Sequence, residues 1–186
     1  MSWFGHKSTG DKESIESLRH YFASNLIGRL NAYKERVGTV QKAPSFDALK
    51  AVFSEESRIT QRIRDFTNEF NKLLTEKKIT KDIFRFELSD YPNFLFLFFQ
   101  TRHAFYATLK QLVEKNPALK NTIQSMVRTM ENHNKYFKLE GWEFLRVIHA
   151  EHSIQNNNAI RDTSKIMDDI LKDVEKKYTR PAIRIP

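Results

Sequence analysis

The chain has 186 residues, enough for one ordinary domain with a sizeable core. Hydrophobic residues make up 40% and charged residues 29%, a globular rather than a disordered balance. There is no cysteine, which excludes disulfides, thiolate zinc sites, thiol nucleophiles and lipidation through sulfur, and fits a reducing compartment.

The formal net charge is +8. Residues 1–44 carry seven basic against four acidic side chains, and 91–141 seven against three, while 45–90 and 142–186 are close to balance. A basic surplus spread this thinly favours acidic partners only weakly, whether nucleic acid, an anionic lipid surface or protein. The opening Met1-Ser2-Trp3-Phe4-Gly5-His6-Lys7 has no apolar core of a secretory signal, and Ser2 stands where myristoylation needs glycine. The apolar run at 94–99 is far shorter than the roughly 20 residues that cross a bilayer. The location these features point to is cytoplasmic, with a peripheral membrane contact as the variant.

In chain order, the first predicted helix covers about 11–37. Ile15, Leu18, Phe22, Leu26, Leu30, Tyr33 and Val37 recur every three or four residues, and Gly38 reads as a C-terminal stop. Trp3 and Phe4 precede it, placed to staple the helix entrance, touch a membrane surface or plug a partner's pocket. Pro44-Ser45 opens a second helix whose Phe46, Leu49, Phe53, Ile59, Ile63, Phe66, Phe70 and Leu73 follow a near-heptad spacing broken only by Glu56. Two such long stripes require antiparallel neighbours.

A short helix holding Ile83, Phe84, Phe86 and Leu88 follows Thr80. Residues 94–113 are apolar on nearly every face at their start, which predicts a helix buried on all sides at the centre of the bundle. Asn116-Pro117 caps the next helix, and Gly141 marks a break before a last helix over about 142–178. The expected fold is therefore all-α, a helical bundle of five or six helices with a central, largely buried helix. Residues 1–10 read as an N-terminal segment, 11–178 as the bundle and 179–186 as an extended tail bracketed by prolines.

Catalytic constellations are weak. None of the six histidines has a carboxylate three residues before it, as a di-iron bundle requires, and His149-Ala150-Glu151-His152 misses the zincin spacing, so neither metal nor cofactor is expected. Arg128 with His133, and Arg146 with His152, match the arginine–histidine spacing of some helical RNases. Thirteen arginines and six histidines give about one such match by chance.

The last helix holds the oddest feature. Its apolar seam turns polar at His149, His152, Asn156, Ala159 and Thr163. Either the helix projects into solvent or breaks near Asn156, or the stretch forms a groove for a partner or a buried polar network. In the tail, Arg180, Ile183, Arg184 and Ile185 alternate like a strand that adds to a sheet edge elsewhere.

Together these features favour a non-enzymatic interaction protein, an adaptor or small structural subunit of a larger assembly that binds another protein. Its candidate contact residues are Trp3, Phe4, His149, His152, Asn156, Arg180, Ile183, Arg184 and Ile185. A membrane-binding bundle recognising anionic surfaces and a helical RNase or nucleic-acid binder are the alternatives, and the near-heptad stripe leaves homo-oligomerisation open.

Overall fold

The computed structural model describes residues 9–138 and 150–178, with the side chains of 9–11, 83–85, 150–153 and 173–178 outside that description. The described residues form six helical rods and no strand, an all-α bundle. The first rod is continuous through α1 (Thr9–Tyr21), a π-helical segment (Phe22–Ile27) and α2 (Gly28–Lys42). Then come α3 (Phe46–Thr75), α4 (Lys81–Glu87) and α5 (Tyr91–Lys115). A 3₁₀ turn (Pro117–Leu119) leads through α6 (Lys120–Thr129) and α7 (Glu131–Tyr136), and α8 spans Ala150–Tyr178.

The π segment follows from the spacing of apolar residues. Leu18, Phe22, Leu26 and Leu30 are each four apart, and all are buried. In a regular helix of 3.6 residues per turn, four-residue steps drift around the axis. Wider π turns absorb the extra residue and keep the stripe on one face.

Gly38 does not stop this rod. It sits inside α2 without a positive φ, and the helix runs on to Lys42. The stop is set instead by Pro44, which disfavours helical backbone at the residue before it; Ala43 accordingly leaves the helical region, at φ −143° and ψ 80°. Ser45 then caps α3, its Oγ accepting from the Ala48 amide at 3.2 Å.

At its other end α3 closes in a Schellman motif. The Lys78 amide reaches the Leu73 carbonyl at 2.9 Å, the Lys77 amide reaches the Leu74 carbonyl at 3.1 Å, and Lys77 itself is left-handed at φ 56°.

Side-chain pairings fix the directions. Phe22 meets Phe66 while Tyr33 meets Glu56, so the first rod and α3 are antiparallel. Phe53 meets Phe105 and Phe66 meets Tyr91, so α3 and α5 are antiparallel too. Asn134 meets Ser164 and Gln124 meets the Ile170 carbonyl, so α6–α7 run against α8. Lys110 pairs with Asp169, and Gln100 and His103 lie beside Ala159 and Asp162, which makes α8 parallel to α5.

α5 is the central helix, as its composition predicts. Phe94, Leu95, Phe98, Phe99, Phe105 and Tyr106 are all buried. Near its start Phe22 packs edge-on against Phe94 at 5.5 Å and Tyr91 at 5.6 Å. Such aromatic pairs add about 0.5–1.5 kcal/mol each beyond the area they bury.

Two residues of the predicted stripes lie outside the core. Phe46 at the first turn of α3 is 55% exposed, and Phe86 on α4 is 82% exposed. No helix among the described residues is long and apolar enough to cross a membrane.

Candidate functional site

The heptad stripe of α3 is interrupted by Glu56, and the structure shows what the interruption holds. Glu56 is fully buried and faces Arg102 of α5, also fully buried. Arg102 Nε donates to Glu56 Oε1 at 2.7 Å. The Tyr106 hydroxyl donates to the same oxygen at 3.1 Å, and the Tyr33 hydroxyl of α2 donates to Oε2 at 3.2 Å. Three donors thus satisfy one dehydrated carboxylate, which is what a buried charge requires.

The guanidinium is satisfied in turn. Its Nη1 donates to Asn134 Oδ1 of α7 at 3.0 Å, and its Nη2 reaches the Met167 sulfur of α8 at 3.4 Å. It also lies 5.1 Å from the Tyr106 ring centroid and 5.6 Å from that of Phe137. Asn134 Nδ2 passes the network on to Ser164 Oγ at 3.0 Å, and that hydroxyl donates to the Ile160 carbonyl at 2.7 Å. One ion pair therefore fastens α2, α3, α5, α7 and α8 to each other.

The electrostatics agree with this geometry. Burial, then the neighbouring Glu56, hold the Tyr33 and Tyr106 phenols well above the ordinary tyrosine value, so both stay protonated donors. Burial works against the Arg102 charge, but Glu56 and the two phenols outweigh it and raise its affinity for the proton. Outside this centre, Arg29 bonds the buried Glu55 at 3.0 Å between α2 and α3. Asp169 of α8 bridges Lys110 of α5 and Lys172, which pulls its carboxyl down to about 2.

Chemically the centre is closed. An acid–base or nucleophilic group must reach substrate, and every side chain of the ion pair is sealed from solvent. Among the described residues no group of three or more His, Asp or Glu side chains is placed to hold a metal ion. Of the RNase-type pairs, Arg128 is exposed on α6 while His133 of α7 is half-buried. Arg146 lies outside the described residues, and so does the His152 side chain.

The polar seam of α8 is neither broken nor solvated where it is described. The helix runs unbroken through Asn156, with Asn156 and Thr163 buried and Ala159 half-buried. Thr163 bonds back to the Ala159 carbonyl at 2.7 Å. Asn156 Oδ1 and Nδ2 have no hydrogen-bond partner among the described residues. Trp3, Phe4, His149, Arg180, Ile183, Arg184 and Ile185 lie outside the described residues, as does the His152 side chain.

The centre that the structure assembles is thus not the one singled out from sequence. Its signal was the lone Glu56 in an apolar stripe. Its arginine sits 46 positions away, where no local rule pairs the two. No protein-family model matches the chain, no curated protein matches it, and no solved structure matches it.

Proposed function

We propose that the chain is a non-enzymatic helical interaction protein, an adaptor or structural subunit of a larger protein assembly. The observation that carries this reading is the closed Glu56–Arg102 centre. The buried ion pair and its partners hold five helices in one register, and its own charged groups are out of reach of substrate. A bundle braced in this way works through its exterior. Exposed Phe86 and Ile154 and the net charge of +8 suit contact with a partner surface that offers apolar and acidic groups. The segments at 1–7 and 179–186, with Trp3, Phe4, Arg180, Ile183, Arg184 and Ile185, are the proposed docking tails.

The test is a pull-down of the intact protein from native lysate, with and without nuclease, read by mass spectrometry. A stoichiometric protein partner that survives nuclease, and is lost on deleting 1–7 or 179–186, supports the reading. Recovery of nucleic acid alone, or salt-sensitive sedimentation with anionic liposomes in place of a protein partner, overturns it.

A further inference from the structure

A groove of about 400 Å³ runs along the surface between α3 and the α6–α7 rod, immediately outside the buried ion pair. Its two walls carry matching polar stripes. Lys50, Ser54 and Ser57 follow helical spacing on α3, and Ser125, Thr129 and His133 follow it at every fourth residue on the other wall. Phe53 and Met130, both buried, form an apolar floor with Met126. None of the described residues lining the groove is a carboxylate. The comparable groove between α5 and α8 differs in including the Asp162 carboxylate and no lysine.

The donors here are unused. Lys50 makes no ion pair among the described residues, and Ser54, Ser57 and Ser125 make no side-chain hydrogen bond there. The His133 ring lines the groove half-buried, its enclosed Nδ1 without a hydrogen-bond partner among the described residues. Thr129 differs, since its hydroxyl already donates to the Met126 carbonyl at 2.7 Å. A lysine, three free hydroxyls and an imidazole nitrogen offer more donors than a carboxylate can accept, and suit the three terminal oxygens of a phosphate.

We propose that the groove between α3 and α6–α7 binds a phosphate monoester, with Lys50 and the serines holding the phosphate, His133 donating to it, and the apolar floor taking the group that bears it.

The charges around His133 allow this. Burial holds the imidazole below the ordinary histidine value, Arg102 and Arg64 push it the same way, and Glu56 opposes them. A phosphate dianion bound beside the ring would act with Glu56 and against burial and the two arginines. The proton affinity of the imidazole should then rise when phosphate arrives.

The test uses the purified full chain and is independent of any protein partner. Histidine ring signals are followed by NMR while inorganic phosphate is added at constant ionic strength, with His133→Gln identifying the resonance. The expected result is a saturable shift at His133 with a higher apparent pKa, and tighter binding of phenyl phosphate than of inorganic phosphate. Lys50→Ala, a substitution at an exposed position, should weaken binding about tenfold. Absence of a saturable shift, an equal shift with acetate, or unchanged binding in Lys50→Ala overturns the proposal.

Discussion

Arg102 Nε and Glu56 Oε1 stand 2.7 Å apart with neither side chain exposed to solvent. Removing one member of such a pair strands the other in the core, which costs about 3–5 kcal/mol. Arg102→Met and Glu56→Leu should each lower unfolding stability by that amount in urea titrations followed by circular dichroism. The double variant should cost less than the sum by about 2 kcal/mol, because no charge is then left unpaired. Additive costs would mean that the two residues are not coupled.

Buried phenols set the alkaline limit. Tyr33, Tyr106 and Tyr91 all bind their protons more tightly in the fold than at the ordinary value of 10.0, chiefly through burial. A group with a raised folded value contributes in full below its unfolded value. That contribution is lost as pH rises from there through the folded value. Stability should therefore hold to about pH 10 and then fall by as much as about 4 kcal/mol per pH unit, three protons at about 1.4 kcal/mol each. Urea midpoints measured between pH 9 and 11.5 check this, and Tyr33→Phe or Tyr106→Phe should each flatten the slope by about a third.

The rods were legible in the sequence because their apolar stripes repeat at helical spacing, and the all-round apolar start of α5 marked it as central. Register across helices was less legible. Glu56 stood out as a break in a stripe, but nothing near it in sequence points to its partner Arg102, 46 positions away. Helix ends misled where composition and backbone part. Gly38 has the residue type of a stop but sits in a continuous helix, and Lys77 takes the left-handed stop without being glycine. Asn156 and Thr163 broke the seam of α8 as visibly as Glu56 broke that of α3, and both are buried.

Asn156 gives a third prediction. Among the described residues both polar atoms of its buried amide are unpaired, which costs about 1–3 kcal/mol relative to an apolar group of similar shape. Asn156→Leu should raise the midpoint of thermal unfolding, with calorimetry as the measurement. A loss of more than about 1 kcal/mol would show that the amide is satisfied in solution and that the seam is a working polar contact.

The π segment makes a fourth. Ser24 is exposed within it, and deleting one residue there turns the run of four-residue steps into the alternating three and four of a regular helix. The shortened chain should fold with the same helical content and a stability within about 1 kcal/mol of the parent. Loss of cooperative unfolding would show that the wide turn is required where Phe22 packs on Phe94 and Tyr91.

The two misplaced helix signals suggest exchanging the residue types. No atom lies within 4 Å of a Cβ added at Gly38, and its helical backbone gains nothing from glycine. Gly38→Ala should stabilise the fold by about 0.5–1 kcal/mol by restricting the unfolded chain. Lys77, at φ 56°, carries the opposite conflict, because a side chain in left-handed backbone costs about 1–2 kcal/mol that glycine avoids. Lys77→Gly should recover part of that, offset by the wider freedom of glycine when unfolded. Each site lies at the C-terminal end of its rod, and the two rods are antiparallel, so the sites are far apart and their effects should add, with urea unfolding of both single variants and the double as the check. A destabilised Lys77→Gly would place the energy of that turn in the lysine side chain rather than in the Schellman hydrogen bonds of Lys77 and Lys78.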